Sequence, residues 1–93
     1  MNPLAVVAVE DVQWRTRAAV EGVVTSLLVR PMADVPTVEV RVSDATGTLP
    51  AIFLGRRSVP GIRLGTRIAV EGMVGIHGRN LATINPEYRL LAD

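Results

Sequence analysis

The stretch Thr37-Val38-Glu39-Val40-Arg41-Val42-Ser43-Asp44-Ala45-Thr46-Gly47-Thr48 decides the fold class. Val38, Val40 and Val42 alternate with Thr37, Glu39, Arg41 and Ser43. This period of two sets the valines on one side of a strand and the polar residues on the other. Asp44-Ala45-Thr46-Gly47 signals a turn, because Asp bonds nearby backbone and Gly accepts a positive φ. A further strand over roughly Thr48–Gly55 completes a hairpin.

Outward from this hairpin the pattern recurs. Valine supplies 15 residues, and with Ile and Thr the β-branched total is 27. Such side chains pack well on a pleated sheet. No window sustains the i, i+3, i+4, i+7 spacing of an amphipathic helix. A first strand runs over roughly Arg15–Val29, with Val20, Gly22 and Val24 on one face. Gly22 inside it permits a bend or a close approach of backbone. Arg30–Pro36, with Pro31 and Pro36, breaks the pattern before the second strand, Thr37–Asp44. After the third, Arg56–Gly65 interrupts the sheet around the turn dipeptide Pro60-Gly61 and is too short for more than one helical turn. A fourth strand spans roughly Thr66–Ile76, with Ile68, Val70, Gly72 and Val74 in phase. Its Ala69-Val70-Glu71-Gly72 repeats Ala19-Val20-Glu21-Gly22, so two strands meet the same geometric demand. His77-Gly78-Arg79-Asn80 is the next turn. The fifth strand covers roughly Leu81–Ile84, and Pro86 ends it or places it on an edge. Arg89–Ala92 adds a short extension.

These elements predict an all-β fold: a five-stranded Greek-key OB-fold barrel with a short irregular or one-turn helical insert between strands 3 and 4. An SH3-like barrel or a split sandwich is the next choice. The connection between strands 3 and 4 discriminates, since in an OB-fold it crosses the bottom of the barrel. Residues 1–93 are read as a single OB-fold domain, with 1–14 as lead-in and 15–90 as barrel.

Composition narrows the function classes. The 93 residues hold ten basic side chains, all arginine, against nine carboxylates, for a net charge of +1 and no cysteine. A disulfide framework, a zinc–thiolate site and a thiol nucleophile are thereby excluded. No apolar stretch is long enough to span a membrane. Leu4–Val9 lacks the flanks of a signal peptide, so a cytoplasmic, soluble domain is expected. Arginine replaces lysine throughout, which fits GC-rich codon usage. The same residue offers a planar fork suited to phosphates and bases.

Three segments carry a resemblance. Val42-Ser43-Asp44-Ala45-Thr46-Gly47-Thr48-Leu49 resembles the strand 2–turn–strand 3 signature of bacterial OB domains. Phe53-Leu54-Gly55-Arg56-Arg57-Ser58-Val59-Pro60-Gly61-Ile62 is similar to the matching stretch of small single-OB proteins of actinobacteria. Asn85-Pro86-Glu87-Tyr88 resembles the ending found there and in the OB wedge domain of RecG-type branch-migration helicases. The resemblance covers roughly residues 15–90. It implies an OB-fold and nucleic-acid binding, the wedge domain being one that engages branched DNA. The chain has no P-loop and no motor of the helicase kind.

Stacking on aromatics and charge on basic residues are how OB-folds hold single strands, through strands 2–3 and the 1–2 and 4–5 loops. Arg41 lies on the outward side of strand 2 and Arg79 in the 4–5 loop. Arg56, Arg57 and Arg63 concentrate positive charge in the insert. Phe53 on strand 3 faces the core if the preceding turn has two residues, and faces outward if the turn has one more. Tyr88 packs its ring structurally or stacks on a base, and His77 is a turn residue that could do the same. Trp14 is read as closing one end of the barrel. Arg15 and Arg17 pair with nearby acids. A lone histidine builds no metal or general-base site, and no Ser-His-Asp arrangement or phosphate-cradling loop occurs. The expectation is a non-catalytic module without cofactor or metal. It binds single-stranded or branched DNA, or RNA, with modest, salt-dependent affinity. The alternative is a protein-interaction or self-associating adaptor, a homodimer or the companion of a larger protein, using an apolar patch of Leu27, Met32, Ile52 and Met73.

Overall fold

The structure, a computed structural model, describes residues 4–92. A single 3-10 turn at Val9–Asp11 precedes five strands: β1 (Arg17–Met32), β2 (Val35–Asp44), β3 (Gly47–Leu54), β4 (Arg67–His77) and β5 (Asn80–Leu90). The strands close into a ring in the order β1-β2-β3-β5-β4. Neighbours are antiparallel except β3 and β5, which run parallel at Ala51↔Thr83 and Ile52↔Ile84. The chain is therefore a small all-β domain.

Closing a ring with five strands requires sharp corners, and glycine supplies two of them. β1 pairs with β4 over Arg17–Val23 and with β2 over Val23–Met32, so it turns from one neighbour to the other at Gly22–Val24. A Cβ on Gly22 would collide with the Ser43 carbonyl of β2. A Cβ on Gly72 would lie 2.7 Å from Thr83 Oγ1 and 3.0 Å from Pro86 Cα of β5. The repeated Ala-Val-Glu-Gly segments pair with each other antiparallel, Val20 facing Val70 and Ala18 facing Gly72. The repetition thus serves two corners of one ring.

Val38, Val40 and Val42 point inward with Val20, Val24, Leu49, Ala51, Phe53, Ile68, Val70 and Val74. The lead-in closes the end at the β2–β3 turn. There Val12 is buried, and the Val9 N–H donates to Asp44 Oδ2 at 2.9 Å. The irregular connection after β3 closes the other end by burying Val59 and Ile62, and the Tyr88 hydroxyl donates to the Pro60 carbonyl at 2.8 Å.

Three expectations need correction. Pro31 and Pro36 do not break the sheet: Ala33 and Asp34, at φ 47° and 66°, form a two-residue turn of the left-handed kind hairpins prefer. Met32 and Val35 close that turn, so Pro31 and Pro36 fall on the next pair, where an antiparallel ladder needs no N–H. Pro86 does not end β5. The ladder to β4 is interrupted between Glu71 and Met73, and the strand passes Pro86 there with Asn85 at φ 48°. Trp14 does not close the barrel. It is 51% exposed, and Val12 does that work. Of the two forms expected for the insert between β3 and β4, the structure has the irregular one, with tight turns closed by Ile62 N–H to Val59 and Thr66 N–H to Arg63.

Asp44 organises the β2–β3 turn. Its Oδ1 accepts from the Thr46 N–H and hydroxyl and from the Gly47 N–H, at 2.7, 2.6 and 3.1 Å. The Thr46 hydroxyl first, and the Val9 N–H next, hold its carboxyl well below the usual range, down to about 2. Because the folded value is depressed, the stabilisation is complete above the ordinary value of 3.8 and is lost as pH falls from there towards about 2. Asp44→Asn should lower the melting temperature at neutral pH and flatten its decline between about pH 4 and pH 2, measured by thermal circular dichroism. At the β1 corner, Gly22→Ala should cost about 1–3 kcal/mol in urea unfolding. Gly75→Ala, whose Cβ would meet Ile84 at an ordinary 3.4 Å, should stay within about 0.5 kcal/mol of wild type.

Candidate nucleic-acid interface

Directly opposed residues of an antiparallel pair share a face, so the register defines the outer surface of β1–β2–β3 row by row. One row is Arg30, Thr37 and Leu54, the next Leu28, Glu39 and Ile52, and the next Ser26, Arg41 and Pro50. Beyond these, the hydroxyls of Thr25 and Ser43, then of Ser43 and Thr48, share hydrogen bonds at 2.9 and 2.7 Å.

The centre of this face departs from the expectation that alternation makes Thr37 and Glu39 solvent-exposed. Both are buried, Glu39 at 5% exposure, as is Ile52 beside it. His77, the last residue of β4, reaches across to Glu39 with Nε2 3.2 Å from Oε1. Arg41 Nε stands 3.4 Å from Oε2 on the other side. The closed ring curves its outer surface enough for side chains two strands apart to meet. Glu39 Oε2 has no hydrogen-bond partner and almost no contact with solvent. A buried carboxylate flanked by two basic groups is a costly arrangement for stability alone.

The predicted site residues divide accordingly. Arg41 and His77 meet at Glu39, and Arg79 lies in the turn that follows His77. His77 is a half-buried strand residue and not an exposed turn residue. Arg57 walls a groove with Arg30, Pro31 and Pro36 at the β1–β2 hairpin. Arg56 is exposed, its guanidinium 6.0 Å from the Phe53 ring centroid. Arg63 stands apart, on the connection whose Gly65 bonds Val24 beside the other edge of β1. Phe53 is not available for stacking. The β2–β3 turn has two residues, so Phe53 pairs with Val38 and lies inside at 2% exposure. Tyr88 packs edge-on against Phe53, centroids 5.7 Å apart, and its hydroxyl is taken by Pro60.

Arg30 escaped notice because the prolines hid its strand; carrying β1 past Pro31 places it opposite Thr37. Trp14 is the aromatic the surface does offer, with the Arg15 guanidinium stacked 4.1 Å from its ring centroid. Of the four apolar patch candidates, Leu27 and Met73 are exposed, Met32 is half-buried and Ile52 is buried.

The carboxylates Glu21, Glu71 and Glu87 collect on a different surface, around a groove of β1, β4 and β5. Arg17 belongs to that surface, with Nε 3.2 Å from Glu71 and Nη2 3.8 Å from Glu87. Among the described residues no three His, Asp or Glu side chains converge as a metal site would need, and no helix is long and apolar enough to cross a membrane. The chain matches no protein-family model, and no curated protein is found similar to it.

Phe53→Ala should destabilise the domain by about 3–5 kcal/mol, as removal of a core ring does. Tyr88→Phe, which deletes one hydroxyl bond, should cost about 1 kcal/mol in the same urea titration.

Proposed function

We propose that the ring is an OB-type Greek-key barrel and that the chain is a non-catalytic nucleic-acid-binding module for single-stranded or branched DNA, with RNA as a further substrate. The ring order, the parallel β3–β5 contact and the burial of Val59 and Ile62 by the 3–4 connection support the OB reading. Likeness to the RecG-type wedge domain is part of the same proposal.

The observation that carries the function is the placement of arginine. A chain of net charge +1 sets Arg30, Arg41, Arg57 and Arg79 on the β2–β3 face or its flanking hairpins, with Asp34 and the buried Glu39 among them. Glu21, Glu71 and Glu87 collect on another side, with Arg17 and Arg89 among them. Strands 2–3 with the 1–2 and 4–5 loops are the surface through which OB-folds take oligonucleotides. Exposed guanidinium groups position phosphates there, and Trp14 beside β4 can stack on a base.

The test is a titration of fluorescent single-stranded oligonucleotides at two salt concentrations. Neutralising two or three phosphates should weaken binding about tenfold between about 50 and 200 mM salt. Arg41→Ala with Arg79→Ala should weaken it at least about fivefold and flatten the salt dependence. Arg17→Ala, on the acidic side, should leave affinity unchanged. Binding that survives the double substitution would place the interface elsewhere.

A second reading, a protein-interaction or self-associating module, draws on the exposed Leu27, Leu28, Val29 and Val35 of the β1–β2 hairpin. A dimer by light scattering together with no oligonucleotide binding would favour it.

A further inference from the structure

We infer that the open edge of β1 pairs with the same edge of a second copy, antiparallel, in a two-fold dimer centred on Leu28. This pairing deepens the self-association reading above, on which it rests, by fixing the surface and the partner. It is independent of whether the chain binds nucleic acid.

The open edge follows from the corner in β1. On one side β1 is paired with β4 up to Val23, and Val24 then exchanges hydrogen bonds with Gly65 and Thr66 of the 3–4 connection. Beyond Val24 that side has no partner strand among the described residues, while the opposite side stays paired with β2 to Met32. The hairpin turn fixes which groups are left over. Met32 and Val35 close a two-residue turn as a hydrogen-bonded pair, so Arg30 and Leu28 also bond β2. The N–H and C=O groups of Val29 and Leu27 therefore point away from β2, to the open side. Only an extended chain satisfies such a row, which selects a strand over a helix or a small molecule.

The edge is complementary to itself. With Leu28 facing Leu28 on the axis, Leu27 of each copy meets Val29 of the other, and every one of these groups finds a partner. Moved one pair along, Leu27 would face Pro31, which has no N–H to give. Edges that stay single are commonly guarded by mid-strand charge. Thr25–Val29 carries none, and Leu27, Leu28 and Val29 are exposed, Val29 at 59%. Arg30 faces Ser26 in this register, so no like charges meet. The pairing also runs the hairpin tip of one copy, with exposed Asp34, towards the connection of the other, with exposed Arg63. Among the described residues neither has an ion-pair partner within its own chain. Two-fold symmetry uses each of these contacts twice, which an unrelated peptide would not. On the outer side Arg41 and Ser26 of one copy continue into Arg30 of the other, so two β2–β3 faces become one surface. The contact is short, below the roughly 1,200 Å2 of standard complexes, so the dimer depends on concentration.

The experiment combines sedimentation velocity with cross-linking of a chain that has no cysteine of its own. Wild type should pass from monomer towards twice its mass between about 1 and 100 µM. Val29→Pro removes an outward N–H and spares the ladder to β2, so it should stay monomeric with the circular dichroism of wild type. Leu28→Cys sets two thiols in a non-hydrogen-bonded pair, Cα atoms about 4.5 Å apart, and should give a disulfide-linked dimer under mild oxidation. Arg30→Cys, whose two copies lie about 13 Å apart along the strands, should not. Should Val29→Pro fail to fold, the two cysteine variants decide. A monomer at every concentration, with no cross-link through Leu28→Cys, would overturn both the edge and self-association. A dimer that survives in folded Val29→Pro, or that cross-links as readily through Arg30→Cys as through Leu28→Cys, would overturn the edge and leave self-association on another face.

Discussion

Everything in this domain depends on the corner at Gly22, where the backbone of β1 passes against the Ser43 carbonyl of β2 with no room for a side chain. The corner lets one strand serve two neighbours, β4 with its first half and β2 with its second. Without it the five strands would form an open sheet with exposed edges. Gly72 answers the same demand where β4 meets β5, opposite Pro86. The curvature these corners impose also brings His77 of β4 within 3.2 Å of Glu39 of β2, although the two strands are not neighbours in the ring. The fold and its candidate site thus share one cause.

The five strands, the approximate bounds of β2, β3 and β4 and the inward valines were legible because period-two alternation is strong where one side is buried, whereas β5 runs on to Leu90, well past the Ile84 expected for it. The Val-Glu-Gly repeat was legible as a shared constraint, though its meaning as self-pairing around Val20 and Val70 needed the register. The prolines misled for a specific reason. Pro31, Pro36 and Pro86 sit where the ladder asks for no donor, and only the neighbouring residues with positive φ, Ala33, Asp34 and Asn85, make that possible. Alanine in the left-handed region is not a signal that composition offers.

The site was legible in part. Arg41 was read on the outward side of its strand and meets His77 there, but the acid between them was read as one of the polar residues of an ordinary alternation. Alternation tells which side a residue faces. It does not tell whether a neighbouring element covers that side, and the covering of Glu39 comes from His77, far away in sequence. Phe53 shows the same limit from the other direction. A single residue in the β2–β3 turn separated core from surface, and the Asp44 hydrogen bonds to Thr46 and Gly47 fix the shorter turn.

Glu39 also limits what a basic face on a nearly neutral chain would do. Exposed arginines alone would attract any polyanion with little regard for sequence. A buried carboxylate beside Arg41 lowers the positive potential there. Stability is conceded at Glu39, where an oxygen without a hydrogen bond is kept from water.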